Sequence, residues 1–131
     1  MQYMLLIYDE ERVLASMSDA ERDSFMQEYF VYTQSLRDSG AFVNGDALQP
    51  TATATTVTVR DGETITTDGP FAETKEQLGG FYILDCGSME EAVELASKIP
   101  SATYGSIEVR PVMDYEAAGS TAHSNEAEAA R

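Results

Sequence analysis

The sequence predicts an α+β fold of the ferredoxin-like split βαβ type with an added β-hairpin. Two apolar runs of strand length stand at residues 3–8 and 81–84, as expected for strands in the interior of a sheet. An Asp-Gly pair at 61–62 separates two alternating segments, which is the pattern of a tight hairpin. The order strand, helix, strand, hairpin, strand, helix, strand follows, and 131 residues fit one domain.

The first half of the chain contains one strand, one long helix and a second strand. Ser18 and Glu21 match a capping box that predicts the start of the helix, and Gly40 predicts its end. A second strand is predicted over residues 41–48, before Pro50. Six residues at helical spacing predict that this helix is amphipathic: Phe25, Met26, Tyr29, Phe30, Thr33 and Leu36.

The hairpin is predicted from two short segments on either side of the Asp-Gly pair. Val57 and Val59 alternate with threonines in residues 55–60, and the partner strand is predicted over residues 63–67. The next strand is predicted over residues 79–85. Its Gly79-Gly80 pair indicates a bulge where the strand enters the sheet.

The second half closes with a helix and a strand. Ser88 and Glu91 repeat the capping-box pattern, and the helix is predicted to end at Pro100. Alternating apolar and charged residues predict the last strand over 106–112. Residues 116–131 are small and polar, so the sequence predicts a domain at 1–115 followed by a flexible acidic C-terminal tail.

Two helices can cover only one face of such a sheet. The apolar runs at residues 3–8 and 81–84 nevertheless present apolar side chains to both faces. An uncovered apolar sheet face is an aggregation hazard, so a second copy packed sheet to sheet is expected. The sequence therefore predicts a homodimer.

Charge and cysteine content exclude several function classes. Eight Lys and Arg residues stand against 23 Asp and Glu residues, and a net charge of -15 repels nucleic-acid backbones and anionic lipid surfaces. The opening run MQYMLLIY is too short for a signal sequence or a membrane span. Cys86 is the single cysteine, so a cytoplasmic protein with no disulfide is expected. No motif for a metal or a cofactor is present.

Several long segments resemble a known family. The stretch DGPFAETKEQLGGFYIL, the segments ALQPTATATTV and YGSIEVRPVM, and the opening MQYMLLIY are similar to the DGPF branch of the YCII-related proteins. The similarity covers residues 1–114. It implies a dimeric α+β barrel in a bacterial cytosolic protein, often encoded near extracytoplasmic-function sigma factors.

The resemblance also bears on enzymatic activity. Part of the wider family looks enzymatic, with a His-Asp pair in a cleft, and a dehydrochlorinase-type lyase activity is associated with one branch. Tyr29 stands here at about the position of that histidine, and His123 in the tail is the single histidine of the chain. Because tyrosine has an ordinary pKa near 10, it is a poor base at neutral pH. Lyase chemistry by such a pair is therefore not expected.

The candidate site lies in the loop after the hairpin. Asp68 precedes the Gly69-Pro70 turn, and it is either a turn-capping residue or a catalytic carboxylate. Phe71 is expected to be buried and to anchor the loop. The other candidate ligand-binding residues are Tyr8, Lys75, Tyr82 and Arg110, for which core packing or plain ion pairing is the alternative.

Three function classes remain open from the sequence. The first is a small-molecule-binding or sensing dimer that serves sigma-factor-type regulation. The second is a lyase-like or other small-molecule enzyme that uses Asp68 without a His-Asp pair. The third is a protein-interaction subunit that contacts a sigma factor. An occupied cleft near Asp68 favours the first two classes, and a dimer without a cavity favours the third.

Overall fold

The computed structural model describes residues 1–115 as a four-stranded antiparallel sheet with helices on one face and a separate two-stranded hairpin. The expected tail at 116–131, with His123, lies outside the described residues. The elements in chain order are β1 (Gln2–Asp9), α1 (Glu11–Ala15), α2 (Asp19–Asp38), β2 (Phe42–Ala47), β3 (Thr55–Arg60), β4 (Glu63–Asp68), β5 (Gln77–Asp85), α3 (Met89–Ala96) and β6 (Ser106–Pro111).

The long helix forms where its capping signal predicts. Ser18 Oγ accepts a hydrogen bond from the Glu21 amide at 3.1 Å, and Glu21 Oε1 accepts one from the Ser18 amide at 3.0 Å. The second capping signal is only half right. Ser88 Oγ accepts from the Glu91 amide at 3.2 Å, but the Glu91 carboxylate turns to the amide of Gly87 instead. The short helix α1 was not predicted, because its residues show no helical spacing of apolar side chains.

The core lies between the sheet and the two long helices. The sheet order is β2-β5-β1-β6, and alternate residues of β1 and β5 point toward α2 and α3. The expected hairpin forms between β3 and β4, with Asp61 and Gly62 both at positive φ. The buried core residues include Tyr3, Leu5, Ile7, Tyr32, Leu36, Tyr82, Leu84, Ala92, Ala96 and Ile99.

The predicted bulge is present at the start of β5. Ile7 pairs with Gly80, whereas the next residue, Tyr8, pairs with Leu78, so Gly79 is the extra residue. A bulge of this kind reverses the alternation of side chains beyond it. As a result, Leu78 lies on the same side as Tyr8, away from the two long helices. Gly80 must stay small, because a Cβ there would lie 2.8 Å from the Asp46 carbonyl oxygen.

The sheet face opposite the helices is open in the single chain. Met4, Leu6, Phe81 and Ile83 stand on this face and are half-buried. The pairing of β6 with β1 places Arg110 beside Met4 on the same face, as the alternation of the last strand predicts. We call this surface the open face.

Candidate functional site

A cleft of about 800 Å³ lies at the end of the sheet where β1 stops and β5 begins. The loop at residues 70–76 forms one wall, and the base of the hairpin and the beginning of α1 form the others. Its volume lies within the range of about 300–1,000 Å³ that is usual for small-molecule sites. The lining residues are Tyr8, Glu10, Glu11, Arg12, Thr51, Ala54, Thr56 and residues 70–78.

Backbone contacts fix the loop wall. The turn at its start has Gly69 at φ 100°, a conformation that favours glycine. The Gly69 amide donates to the Ala54 carbonyl at 2.7 Å, and Thr56 Oγ1 donates to the Gly69 carbonyl at 2.8 Å. At the other end, Gln77 Nε2 donates to the Thr74 carbonyl at 2.6 Å. The wall is therefore tied to the hairpin at one end and braced at the other.

The wall formed by α1 is also held by hydrogen bonds. The Glu11 carboxylate accepts from the Thr51 amide at 2.7 Å and from Thr51 Oγ1 at 3.0 Å. The Glu11 amide donates to Gln77 Oε1 at 3.0 Å, which connects α1 to β5. Arg12 Nε donates to the Glu10 carboxylate at 2.7 Å. Three segments that are distant in sequence are thus locked together around the cleft.

Lys75 is the cation in the cleft that remains available. No ion pair joins it to any carboxylate in residues 1–115, whereas Arg12 is already paired with Glu10. Glu76 is engaged as well, since its Oε1 accepts from Ser106 Oγ at 2.9 Å. An anionic group in the cleft would find the Lys75 ammonium as its partner.

Two aromatic residues line the cleft. Tyr8 is half-buried and its hydroxyl lies 3.5 Å from Glu108 Oε1. Phe71 is 89% exposed, so the prediction that it is buried and anchors the loop is wrong. The hydrogen bonds of Gly69 and Gln77 anchor the loop instead. An exposed phenyl ring at the mouth of a cleft instead offers apolar area to a ligand.

The predicted site residues divide into two groups. Tyr8, Phe71 and Lys75 line the cleft, while Asp68, Tyr82 and Arg110 do not.

Each residue outside the cleft has a definite place. Asp68 is exposed on β4, and its carboxylate accepts no hydrogen bond within residues 1–115, so the expected turn cap is absent. Tyr82 is buried on the helix side, where its hydroxyl lies 2.6 Å from Thr33 Oγ1. It therefore cannot share a cavity with Arg110, which lies on the open face and pairs with Glu108 at 2.7 Å.

The residues that were not predicted come from α1 and from the segment after β2. Glu10, Glu11 and Arg12 directly follow the apolar run of β1, and a charged cluster at the end of a central strand is a usable sequence signal. Thr51 carries no such signal. Its place depends on the fold, because it lies 40 residues from its partner Glu11.

A second polar cluster lies on the helix side of the end of β1. Tyr29, at the position of the family's histidine, has its hydroxyl 2.6 Å from Ser101 Oγ. Burial raises the pKa of Tyr29 to about 12, so its hydroxyl stays protonated at neutral pH and does not act as a base. Tyr104 donates to Asp9 Oδ2 at 3.3 Å in the same cluster. The cluster is a half-buried group of hydrogen-bonded side chains that supports the end of β1.

Asp9 should make stability depend on pH. Desolvation raises the pKa of Asp9, the nearby Glu76 and Glu11 raise it further, and hydrogen bonds from Ser101 and Tyr104 act in the opposite direction. The folded state therefore binds this proton more tightly than the unfolded state does. Its stabilising contribution is complete below the unfolded pKa near 3.8 and is lost as pH rises through the folded pKa.

Asp9→Asn is therefore expected to unfold at a higher temperature than the parent protein at pH 7, with the difference shrinking toward pH 3. Asparagine removes the desolvated charge and keeps an oxygen for the Tyr104 hydroxyl. Thermal unfolding followed across this pH range measures the effect. Asp23→Asn, at an exposed position on α2, is the control and should show no such trend. A difference for Asp9→Asn that does not change with pH would contradict the assignment.

The comparisons with known proteins agree with this architecture. The profile of the YCII-related domain family matches residues 1–116. The chain belongs to the YCII-related family. An uncharacterized protein of Rhizobium meliloti (strain 1021) is 40% identical over 118 residues, which cover 88% of this chain and 95% of that relative.

A solved structure shares the fold of this YCII-related chain. It is the 5-chloro-2-hydroxyhydroquinone dehydrochlorinase TftG of Burkholderia phenoliruptrix, in complex with 2,5-dihydroxybenzoquinone. The TM-score is 0.52 at 15% identity, and the match covers 86% of this chain and 94% of the other. At this identity the similarity shows a related α+β fold.

Two structural features are absent from residues 1–115. None of the helices within residues 1–115 has the length and apolar character needed to cross a membrane. The same part of the chain contains no group of three or more histidine, cysteine, aspartate or glutamate residues arranged to hold a metal ion.

Proposed function

We propose that this YCII-related protein is a homodimer that binds a small organic molecule in the cleft at the end of β1. The observation that carries the proposal is the cleft itself, which has a volume of about 800 Å³ and walls braced from three separate segments. Walls that are already hydrogen-bonded lose little conformational entropy when a ligand binds. Pre-formed clefts of this size are typical of small-molecule sites.

Lys75 and the two aromatic rings of the cleft point to a compact ligand with an unsaturated ring and one anionic group, and because four glutamates also line the cleft, binding of the anionic group depends on Lys75. The Lys75 ammonium would contact the anionic group, and Tyr8 and Phe71 would contact the ring. The compound in the TftG complex, 2,5-dihydroxybenzoquinone, is a small oxygenated ring. Because the fold is related, this compound is a reasonable first probe for the cleft.

A dimer accounts for the open face of the sheet. Met4, Leu6, Phe81 and Ile83 form an apolar surface there that no element of residues 1–115 covers. A second copy packed on this face would bury it and give the dimeric α+β barrel that the sequence predicts. Tyr8 belongs both to this face and to the cleft, so the partner would lie next to the bound ligand.

The other two function classes stay predictions. An enzyme that uses Asp68 would need the carboxylate near the substrate, but Asp68 is on the hairpin and is not part of the cleft wall. The sensing role in sigma-factor-type regulation and the direct contact with a sigma factor depend on the family resemblance alone. No contact within residues 1–115 favours either of them over ligand binding.

Lys75→Ala is expected to weaken binding of 2,5-dihydroxybenzoquinone about tenfold, because one charge-assisted hydrogen bond contributes roughly 1.5 kcal/mol or more. Isothermal titration calorimetry measures the affinity. Lys98→Ala is the matched control, since Lys98 is an exposed lysine on the far side of the molecule, paired with Glu94. Equal affinity in the parent and Lys75→Ala proteins, or an equal loss in both variants, would remove Lys75 from the site.

Native mass spectrometry of the purified protein is the direct test of the proposal. A compound that co-purifies with the parent protein and is lost from Lys75→Ala, but not from Lys98→Ala, would support binding in the cleft. Absence of any bound compound, together with no measurable binding of the quinone probe by the parent protein, would contradict the proposed function.

A further inference from the structure

The hairpin of β3 and β4 extends from the body of the single chain. Its two strands form a sheet of their own and pair with each other along their whole length, from Thr55 with Asp68 to Arg60 with Glu63. Within residues 1–115, its hydrogen bonds to residues outside the two strands are confined to its base, near Ala54 and Gly69. A two-stranded hairpin is at best marginally stable alone in water, so its exposed surface calls for a packing partner.

One face of the hairpin is suited to burial. Nine of the 14 residues at 55–68 are Val, Ile or Thr. Strand pairing places Val57 beside Thr66 and Val59 beside Thr64, so these four residues share a face. Val57 and Val59 are 58% and 57% exposed, and the only charged residue on this face is Asp68 at its base. We call these four residues the arm face.

We infer that the hairpin is a dimerisation arm whose arm face packs on a second copy of this chain and holds that copy on the open face, beside the cleft. The inference rests on the dimer of the proposed function and adds a specific contact to it. It assigns the hairpin a role that the cleft does not explain.

The lack of charge on the two surfaces favours a second copy as the occupant. Two chains that each carry a net charge of -15 repel one another, so a stable contact between them needs surfaces nearly free of charge, where burial of apolar area can outweigh that repulsion. The arm face and the apolar centre of the open face meet this condition, although the chain as a whole is strongly acidic. A basic protein or a nucleic acid would instead need a charged surface to bind.

The size of the two surfaces leads to the same conclusion. Strand spacing of about 4.8 Å and a rise of about 3.3 Å per residue give the open face a plan area of about 400 Å². A stable interface buries about 800 Å² on each partner, so the open face alone is small for a dimer. The arm face adds about 200 Å² of plan area. The accessible area of both surfaces is larger than the plan area, because the side chains project from the sheet.

The cleft borders the open face. Tyr8, at the edge of that face, forms part of one wall. Thr56, at the base of the hairpin, forms part of another wall, but it alternates with Val57 and so belongs to the hairpin face opposite the arm face. A second copy on the open face would therefore lie beside the cleft at Tyr8, and the arm face would hold that copy in place.

The test uses sedimentation velocity of the full chain without ligand. We expect the double variant Val57→Asp with Val59→Asp to raise the dimer dissociation constant at least 100-fold, because it places four carboxylates in one two-fold interface. Val93→Asp is the control, since Val93 is 51% exposed on α3, away from both surfaces, and its dissociation constant should change less than twofold. The double variant Val57→Thr with Val59→Thr keeps the β-branched shape and should still weaken the dimer about tenfold.

The outcomes separate the arm from the rest of the proposal. An unchanged dissociation constant in the two hairpin variants, alongside a monomeric Leu6→Glu variant, would overturn the arm and leave the dimer through the open face intact. A parent protein that is monomeric at all concentrations would overturn both. Titration of each variant with 2,5-dihydroxybenzoquinone tests whether the second copy contributes to the site, and a monomeric hairpin variant should bind the probe about tenfold more weakly. Undiminished affinity in that monomer would overturn a contribution of the second copy to the site.

Discussion

Leu5→Ala is expected to lower the free energy of unfolding by about 3 kcal/mol, within the range of roughly 2–5 kcal/mol for removing a fully buried leucine side chain. Leu5 lies in the middle of β1 with no exposed surface, between Tyr82 of β5 and Val109 of β6 and beneath the helices. The loss arises because the shortened side chain leaves a cavity that a rigid sheet cannot close. Urea unfolding followed by circular dichroism measures it.

Leu6→Ala is the matched control for this core substitution. Leu6 is the next residue of β1, but it is half-buried on the open face, so its truncation leaves no internal cavity. Its contribution should come through the dimer and should therefore depend on protein concentration. Leu5→Ala should cost the same free energy at every concentration. Equal losses from both variants, independent of concentration, would mean that the second copy does not cover the open face.

Gly105→Ala is expected to destabilise the fold by about 2–3 kcal/mol or more, as overpacking of a tight site does. An added Cβ would overlap the Tyr8 carbonyl oxygen and would lie 3.0 Å from Asp9 Cβ and 3.1 Å from the Ser101 carbonyl oxygen. Two of these contacts are with backbone atoms, so the strand itself must move. The shift would fall at the end of β1, where Tyr8 enters the cleft. Thermal unfolding and titration with the quinone probe would both register the change.

Gly87→Ala separates this steric effect from the general effect of replacing glycine. The added Cβ would meet only the Glu91 carboxylate, at 3.2 Å, and that side chain can move aside. A change in stability of less than about 1 kcal/mol is expected, since flexible surface contacts cost little. If Gly105→Ala were no more destabilised than Gly87→Ala, the close packing of β6 against the end of β1 would be wrong.

The sequence predicts the framework because each element has a local signal. The Ser18 capping box, the Asp61-Gly62 turn and the apolar runs of β1 and β5 depend on interactions between near neighbours in the chain. The sequence also places Tyr3 and Tyr8 on opposite faces of the sheet, because residues five positions apart on a strand point to opposite sides. Tyr82 could not be assigned in this way, because its neighbours Phe81 and Ile83 are equally apolar.

The site is less predictable from the sequence than the fold. Lys75 and Phe71 were found because the loop at 70–76 is long and polar, which is a local property. The exposure of Phe71 was not foreseen, since an aromatic residue in a loop more often packs than stands in solvent. The bonds of Glu11 to Thr51 and to Gln77 join segments that only the tertiary structure brings together. Composition and periodicity carry no information about such contacts.

Gly79, the extra residue of the bulge, lies between the loop and the regularly paired part of β5. Because β5 follows strict alternation after the bulge, changes in the length of the loop at residues 69–76 leave the sheet undisturbed. Gly80 is paired with Ile7 and Leu78 with Tyr8, and the extra residue lies between these two pairs. Removing Gly79 would therefore make the ladder regular, with Leu78 still on the side of Tyr8. The pairing of β5 in the core thus does not depend on the length of the loop. Insertions and deletions in this loop can therefore change the wall of the cleft while the strand pairing in the rest of the domain stays the same.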